Sequence, residues 1–322
     1  ITPTLKTQGC DRVKTSFGGF FSLIILILSI AMAIFFGLEL TDRSNPFLLV
    51  SKTTVDKFPY LKISNTDLGF YIGLQYANYS YFMDPRIFFV KAIEIKISQS
   101  LVNDKIERAT TEREIPVDLC SKFYNVTDLP ETNRKIPLEY LYCAEPNATG
   151  IEGYWGIEGV YRAVKFTVEK CINTTKNNNS CLPIEKIEEI IQDGYVGFYF
   201  TNTLVNQKNY TYPIYKMLDE SFNLLNAKSS VEFNYFVQSL HFNSDNGIIL
   251  PDSKYYNSFQ INTPLIFYKT IESNKIAGVN FEGSFIGEVN YRSYIKFQDI
   301  LTRVGGLVKM LMLISSSFVN LY

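Results

Sequence analysis

The sequence predicts a membrane protein in which two transmembrane helices flank a mainly β, sandwich-like α+β domain that lies outside the cytosol. Three observations predict this fold class: an uncharged apolar run near the N-terminus, a second apolar run at the C-terminal end, and segments between them in which apolar and polar residues alternate. The 322 residues suffice for one large domain or two modest ones. We therefore expect a cytosolic segment 1–16, a first transmembrane helix 17–38, the outer domain 39–292, an interfacial amphipathic helix 293–303, and a second transmembrane helix 304–322.

The first apolar run extends from Phe17 to Leu38 and carries no charged side chain. Its length is sufficient to cross a hydrocarbon core of roughly 30 Å. Lys6, Arg12 and Lys14 precede it, so the positive-inside rule predicts a cytosolic N-terminus. A cleaved signal peptide is the alternative, but the run is longer than the apolar region of a signal, and no A-x-A cleavage site follows it.

The second apolar run, 304–322, is interrupted by Lys309, whose long side chain can extend to the nearer membrane interface. The preceding segment, 293–303, spaces its apolar residues as a helix does, which predicts an amphipathic helix at the interface. A buried C-terminal helix of a soluble domain is the alternative. Small and polar residues on the second run predict either helix packing or a face that lines a pore. These residues are Gly305, Gly306, Ser315, Ser316 and Asn320.

The chain begins at Ile1 without an initiator Met, and it ends at Tyr322 inside the second apolar run. We therefore expect the natural protein to continue beyond this residue. The lone cysteine near the N-terminus, Cys10, lies on the predicted cytosolic side close to the membrane. A cysteine in that place is a candidate for lipidation.

The other four cysteines all fall between the two apolar runs, and an even number there is typical of an oxidising compartment. Four cysteines allow three pairings. Locality along the chain favours the disulfides Cys120–Cys143 and Cys171–Cys181. A zinc site with four cysteine ligands is the alternative, although the sequence has no C-x-x-C pair.

Six N-x-[ST] motifs also lie between the apolar runs, on the side that the predicted topology places outside the cytosol. Their agreement with the cysteines and with the flanking charges predicts N-linked glycans, at Asn78, Asn125, Asn147, Asn173, Asn178 and Asn209. We expect no other cofactor and no metal.

The outer domain is predicted to be mainly β, because apolar residues alternate with polar ones in several short segments. Strands are expected at 91–98, 164–168, 195–205, 231–237, 261–268 and 279–289, with a turn at 241–247. A helix is expected after Pro183, with isoleucines on one face and Gly194 at its end. A weaker helical pattern covers 214–226. Because extended segments follow the first apolar run and precede the second, we expect the two ends of the domain to meet at the membrane.

The composition excludes several classes of function. The chain carries 31 basic and 32 acidic side chains, so no overall positive charge favours nucleic acid. A single histidine, His241, leaves little material for histidine-based catalysis or histidine-ligated zinc. The motif Asn243-x-Asp245-x-Gly247 lacks the other ligands of a calcium loop and indicates a turn. With no nucleophile elbow, phosphate-binding loop or paired metal motif, we expect a protein that is not an enzyme.

Two resemblances follow from the ends of the chain. Residues 11–40 resemble the opening of the Erv-type cargo receptors of the ER and Golgi, with Lys14, Thr15, Gly18 and Gly19 entering the first helix and Glu39 leaving it. That resemblance implies two spans and a β-rich lumenal domain. The segments KTSFGGFFS and YRSYIKFQDILTRVGGLVKML more closely resemble a large set of uncharacterised two-span transmembrane proteins of ciliates. This resemblance implies the same layout and no known activity.

The favoured function is that of a structural or interaction subunit of a membrane complex, which binds partners through its outer domain. An ion-channel or channel-accessory subunit with the second helix lining a pore is the alternative. A cargo receptor of the secretory pathway is a further one. Partners would be membrane lipid and other membrane or extracellular proteins, in a homo- or hetero-oligomer and without nucleic acid. The expected location is the plasma or ciliary membrane, or an endomembrane.

Overall fold

A computed structural model describes residues 16–43, 45–102, 105–129, 136–156, 159–173, 181–270 and 274–321. It confirms a mainly β domain, with a long helix next to each end of the domain. In chain order the elements are α1 (Ser16–Asp42), β1 (Phe47–Thr54), β2 (Leu61–Lys62), β3 (Phe70–Gln75), β4 (Tyr81–Phe82), β5 (Phe88–Val102), β6 (Lys105–Ile115), β7 (Val117–Leu119), α2 (Cys120–Phe123), β8 (Tyr142–Ala144), β9 (Gly150–Ile151), β10 (Gly159–Lys170), α3 (Ile184–Ile191), β11 (Tyr195–Val205), β12 (Ile214–Leu224), β13 (Ser229–Asp245), β14 (Ser253–Ile261), β15 (Leu265–Thr270), β16 (Lys275–Gly283), β17 (Ile286–Ser293) and α4 (Phe297–Leu321).

The strands form two main sheets. The larger sheet has the order β1-β17-β13-β16-β10-β5-β6, and β14 and β15 both pair with the long strand β13. The smaller sheet has the order β12-β11-β3-β8-β7, with β4 paired to β3. Strands β2 and β9 form a short separate ladder.

Aromatic side chains from both sheets meet in the core of the sandwich. The ring of Phe70, on β3, lies 4.5 Å from that of Phe166 and 4.9 Å from that of Phe281, both on the larger sheet. Phe198, on β11, contacts Phe233, on β13, with centroids 4.9 Å apart. All five rings are buried. Burial of each such side chain contributes about 1.5–3 kcal/mol, so this layer is a large part of what holds the two sheets together.

The helix expected after Pro183 is confirmed as α3, which buries Ile187 and Ile191 on one face. The helix expected at 214–226 is wrong, because this segment forms β12. Strand β12 pairs with β11 along its whole length, from Ile214 opposite Val205 to Leu224 opposite Tyr195. The neighbouring strand supplies partners for the backbone of β12, and this tertiary pairing outweighs a weak local helical preference.

Several strand boundaries also differ from the prediction. The turn expected at 241–247 begins only after Asp245, because β14 and β17 pair with β13 as far as that residue. The single strand expected at 279–289 is two strands, β16 and β17, interrupted at Ser284 and Phe285. Both strands run parallel to β13. On the side away from β13, β16 pairs with β10 and β17 pairs with β1.

Helix α1 includes a candidate membrane span, Ser22–Asp42, with a mean hydropathy of 2.7 and none of its most apolar window buried. It is the one helix, among the residues that the structure describes, that is long and apolar enough to cross a membrane. The expected second span therefore does not meet the same criterion. Helix α4 has a suitable length, but Asp299, Arg303 and Lys309 lower its apolar character.

The division of the C-terminal part into an interfacial helix 293–303 and a span 304–322 is also revised. Helix α4 is continuous from Phe297 to Leu321, with no boundary at 303. Ser293 still belongs to β17, where it pairs with Phe47. The helix begins later, at Phe297, and the Asp299 carboxylate in its first turn accepts a hydrogen bond from the backbone N–H of the preceding Lys296 at 3.0 Å.

The expectation that the two ends of the domain meet is confirmed. Strands β1 and β17 form an antiparallel ladder from Phe47 opposite Ser293 to Thr54 opposite Ile286. Because β1 directly follows α1 and β17 directly precedes α4, this ladder brings the two helices side by side, and they contact each other. We call this part of the domain the helix-proximal end.

The core layer gives a first prediction. Phe281→Ala should lower the free energy of unfolding by about 3–5 kcal/mol, because loss of the ring leaves a cavity between Phe70 and Tyr235. Urea unfolding of the purified chain in detergent, followed by far-UV circular dichroism, measures the loss. Phe285→Ala is the matched control, since Phe285 is 54% exposed, and should cost under about 1 kcal/mol. Equal losses in both variants would show that Phe281 is not part of the core.

Candidate functional site

The structure contains the disulfides Cys120–Cys143 and Cys171–Cys181, the pairing that locality favours. The first joins α2 to β8 on the outer side of the smaller sheet. The second joins the end of β10 to the segment before α3. Closing a loop in this way stabilises a domain mainly by restricting its unfolded chain. Each bond therefore closes a loop that contains little helix or strand among its described residues.

The predicted glycosylation sites lie in turns and loops. Asn78, Asn125, Asn147, Asn173 and Asn209 are all exposed, whereas Asn178 lies outside the described residues. The Asn209 side-chain oxygen accepts hydrogen bonds from the backbone N–H groups of Thr211 and Tyr212, at 3.0 and 2.9 Å. Glycosylation at these positions stays a prediction.

Of the predicted small and polar residues on α4, Gly305 and Gly306 have open space where a side chain would begin. They lie away from the half-buried stripe of the helix, which has helical spacing and which we assign to the contact with α1: Val304, Leu307, Val308, Leu311 and Ser315. Ser315 therefore lies on a different face from the glycines. The side chains of Ser316 and Asn320, like all of Cys10, lie outside the described part of the chain.

The most unusual surface of the domain is the edge strand β15. Its four successive apolar side chains, Leu265, Ile266, Phe267 and Tyr268, are between 43% and 68% exposed. Both faces of β15 are therefore open to solvent. Among the described strands, β15 pairs only with β13, so its other backbone edge has no strand partner there. Exposed apolar edges are normally avoided because they pair with other chains.

Two other strands of the larger sheet, β6 and β14, are protected in two different ways. Strand β6, at the far end of the larger sheet, exposes charged side chains such as Glu107, Arg108 and Glu112. Charges on an edge strand oppose pairing with another chain. Strand β14 contacts β11 at its C-terminal end, where the Ile261 backbone N–H donates to the Asn202 side-chain oxygen at 2.9 Å. Of these three strands β15 alone has an open apolar edge, although β1, at the opposite end of the sheet from β6, also exposes Phe47, Leu49 and Val50.

An ion cluster holds β15 on the sheet. Lys269, on β15, donates to one oxygen of Glu232, on β13, at 2.7 Å, and Lys275, on β16, donates to the other oxygen. Burial opposes ionisation of the Glu232 carboxyl, but these hydrogen bonds and the charges of Lys275 and Lys165 outweigh it and lower its pKa to about 2. The carboxylate therefore joins three strands.

A second cluster fixes the helix-proximal end, where Arg292 of β17 is fully buried. Its Nη1 donates to the carbonyl oxygens of Gln207 at 3.0 Å and Asn209 at 2.6 Å, and its Nη2 donates to that of Tyr210 at 3.2 Å. Its Nε donates to Ser244 Oγ at 2.9 Å. Burial lowers the pKa of Arg292, yet a guanidinium stays charged at neutral pH. The loop between β11 and β12 is therefore attached to a buried positive charge.

The end of α1 is attached to the same loop. Arg43 follows the helix with φ of 52°, and its guanidinium carbon lies 4.4 Å from the ring centroid of Tyr210. The Tyr210 ring meets Tyr294, which precedes α4, edge to face with centroids 5.5 Å apart. Cation–π and aromatic contacts of this kind each contribute about 1 kcal/mol. They connect the residues next to both helices through one loop.

Sequence reasoning missed the open edge of β15 and the clusters around Glu232 and Arg292. A single strand was expected at 261–268, whereas β14 ends at Ile261 and β15 begins at Leu265. An apolar run such as Leu265–Tyr268 is also typical of a buried strand, so its exposure could not be inferred. Arg292 carried no motif. Its position two residues before the aromatic Tyr294 and a helix is the signal that was present, and that signal is weak.

The structure therefore combines a β-sandwich domain that has an exposed edge strand with a helix, α1, that is long and apolar enough to cross a membrane. Residues 69–284 match the family described as "Uncharacterised 80 kDa protein N-terminal domain", and the chain belongs to that family. The matched segment extends from just before β3 to just after β16, so α1, β1, β2, β17 and α4 lie outside it. The resemblance to two-span proteins of ciliates stays a prediction.

Two solved structures, among others, show weak similarity to this chain. The chain in "Cryo-EM structure of a proton-activated chloride channel" is matched over 100% of its length by 95% of this chain, at 10% identity and a TM-score of 0.25. The chain in "Crystal Structure of Erv41p" is matched over 99% of its length by 77% of this chain, at 9% identity and a TM-score of 0.25. Likeness at this level supports no conclusion about function. No curated protein sequence matches the chain.

The Glu232 cluster gives a second prediction. Because the pKa of Glu232 is lowered in the folded state, its contribution to stability is fully present above about pH 4.5 and is lost as the pH falls toward about 2. At pH 7, Glu232→Gln should lower the free energy of unfolding by about 2 kcal/mol, since two charge-assisted hydrogen bonds are weakened. Urea unfolding at pH 7, 4 and 3 should show that the difference in unfolding free energy between wild type and Glu232→Gln becomes smaller as the pH falls.

The control for this prediction is Glu189→Gln, which removes a charge from the exposed side of α3. It should leave stability within about 0.5 kcal/mol at each pH. A Glu232→Gln effect that stays constant from pH 7 to pH 3 would mean that the Glu232 carboxylate is not held by Lys269 and Lys275.

Proposed function

We propose that the chain is a membrane-anchored interaction subunit whose outer domain binds an extended segment of another protein along β15. The observation that carries the proposal is the exposure of both faces of Leu265–Tyr268 on a strand with an open backbone edge. Strand addition uses main-chain hydrogen bonds for affinity and alternate side chains for specificity. The subunit acts by binding and not by catalysis.

The contrast between the edges supports this assignment. The charged side chains of β6 discourage pairing, and β14 contacts β11, whereas β15 has neither form of protection. On β15, Ile266 and Tyr268 lie on one face and Leu265 and Phe267 on the other, as expected for alternating side chains. An added strand would thus meet an apolar side chain on each face of the edge.

Anchoring in the membrane completes the proposal. Helix α1 spans the bilayer with its N-terminus in the cytosol, and α4 crosses beside it with Lys309 extended toward an interface. The disulfides and the exposed sequon asparagines then lie outside the cytosol, where oxidation and glycosylation occur. The membrane is a plasma, ciliary or internal one.

Site-specific photocrosslinking of the full chain in its native membrane tests the interaction. A benzophenone side chain in place of Phe267 should form a defined adduct, because the added strand lies within reach of this position. The same probe at Arg108, on the charged edge β6, and at Leu224, on β12, should form no such adduct. A probe at Phe267 that gives no more product than these two controls would reject the proposal.

A charge on the edge provides the matched variant. Ile266→Lys should reduce the Phe267 adduct tenfold or more, because an unpaired ammonium at the interface costs at least about 1.4 kcal/mol. Leu224→Lys, at an equally apolar exposed position, should leave it unchanged. The mass and identity of the adduct distinguish a second copy of this chain, a resident subunit of a complex, and a transported cargo protein.

A pore is the second candidate function, favoured by the free face of α4. Gly305 and Gly306 have open space around them, and small residues allow another helix to approach closely. Lys309 and Leu313 are also exposed on α4. Three or more copies that turn this face inward would surround a common axis.

Planar-bilayer recording of the purified chain tests the pore. This candidate predicts discrete conductance steps, and Gly306→Leu should reduce their size because the larger side chain separates or blocks the helices. Met310→Leu is the control and should not change them. A silent bilayer with protein that is folded and inserted would exclude the pore and leave the interaction subunit.

A further inference from the structure

A short loop at the helix-proximal end exposes three aliphatic side chains in succession. The loop joins β13 to β14 across residues 246–252, and Ile248, Ile249 and Leu250 are 48%, 60% and 75% exposed. Pro251 follows them. Three neighbouring aliphatic side chains on one tight loop are costly in water, so their place in the molecule matters.

The loop is rigid. The Asp245 carboxylate oxygen Oδ1 accepts hydrogen bonds from the backbone N–H of Gly247 at 3.1 Å and of Asp252 at 2.9 Å. The Asn246 N–H donates to the Asp252 carbonyl at 2.8 Å. A Cβ at Gly247 would lie 1.7 Å from the Leu250 carbonyl oxygen, so the loop closes too tightly for any other residue. Its aliphatic apex is therefore held in one conformation.

The loop is also joined to the first turn of α4. Lys296 forms a largely buried ion pair with the other oxygen of Asp245, at 2.7 Å. The backbone N–H of Phe297 donates to the Ile248 carbonyl at 2.9 Å, and the Gln298 side chain donates to the Ile249 carbonyl at 2.8 Å. The position of the aliphatic apex is thus set by the start of α4.

Helix geometry gives the level of this apex relative to the apolar part of α1. The guanidinium of Arg303, on α4, lies 5.4 Å from the ring centroid of Phe36, on α1. The helices run in opposite directions at about 1.5 Å per residue, so Phe297 is level with Asp42, about 6 Å beyond Leu38. The headgroup region on each side of a bilayer is roughly 5–8 Å thick. The loop therefore lies at the depth of the headgroups.

We propose that Ile248, Ile249 and Leu250 insert into the headgroup region of the bilayer, as a membrane contact separate from α1 and α4. The exposed residues Phe297 and Leu301 of α4 continue the apolar surface. Next to the loop on β14 are Lys254 and Tyr255, both exposed. Lysine and tyrosine at this level are typical of a membrane interface, where the ammonium meets phosphate and the phenol ring lies between water and acyl chain.

A phospholipid surface fits this loop better than a second protein. The apex is joined to a helix that packs on the candidate span, so lipid is already present at its level once α1 is inserted. The inference rests on insertion of α1, as the proposed function does, but not on any partner of β15. A chain that binds nothing at β15 would still place this loop in lipid.

Fluorescence quenching by lipid tests the proposal. The full chain is reconstituted into phosphatidylcholine vesicles whose acyl chains carry bromine near the headgroup, and its single native tryptophan is removed by Trp155→Phe. In this background Leu250→Trp should lose roughly half of its emission to the bromine, since an interfacial side chain reaches the acyl boundary. Tyr268→Trp, on β15, is the matched control and should lose almost none.

Other outcomes overturn the proposal. In one such outcome, bromine does not quench the emission of Leu250→Trp, and this emission is blue-shifted in detergent as well. That result would show that protein covers the loop. Unquenched, red-shifted emission would show that the loop stays in water. Because Leu250 is mostly exposed, its replacement should not disturb folding, and Ile249→Trp repeats the test at the neighbouring position. If the β15 crosslink fails but emission from Leu250→Trp is quenched, only the proposed function is rejected.

Discussion

The antiparallel ladder between β1 and β17 is the constraint on which the arrangement of the molecule depends. It joins the strand after α1 to the strand before α4, from Phe47 opposite Ser293 to Thr54 opposite Ile286. Without this ladder the helices would be separate tethers, since β1 has no other strand partner among the described strands. With it, α1 and α4 emerge side by side from one sheet. The sandwich therefore has a fixed orientation relative to any membrane that α1 crosses.

Two charged side chains secure this ladder to the rest of the domain. Arg292 holds the loop between β11 and β12, and Asp245 joins the β13–β14 loop to Lys296. Each makes several hydrogen bonds, as a charge in a low-dielectric interior requires. Polar groups of this kind tolerate few alternative geometries, whereas apolar packing tolerates many. The helix-proximal end is thus specified by polar contacts, and the centre of the sandwich by aromatic ones.

The sequence allowed the fold class to be predicted, because a long uncharged run and period-2 alternation are local patterns. It also allowed α3 to be placed, from Pro183 and the isoleucines that follow. It failed at 214–226, where the edge of β11 makes a strand out of a segment with weak helical spacing. It failed at Asp245 for the same reason, because strands on both sides extend β13 through residues that favour turns. The site was harder, since nothing local shows whether Leu265–Tyr268 is covered by another part of the chain.

The β1–β17 ladder also affects how the protein is made. Strand β1 leaves the ribosome soon after α1, but its partner β17 follows more than 200 residues later. At about 5–20 residues per second this interval is roughly ten to fifty seconds. During that time the segment from Phe47 to Val50 is an apolar strand without its partner. Closure of this end of the sheet therefore has to wait for the synthesis of β17, although β1 is among the first strands to be made.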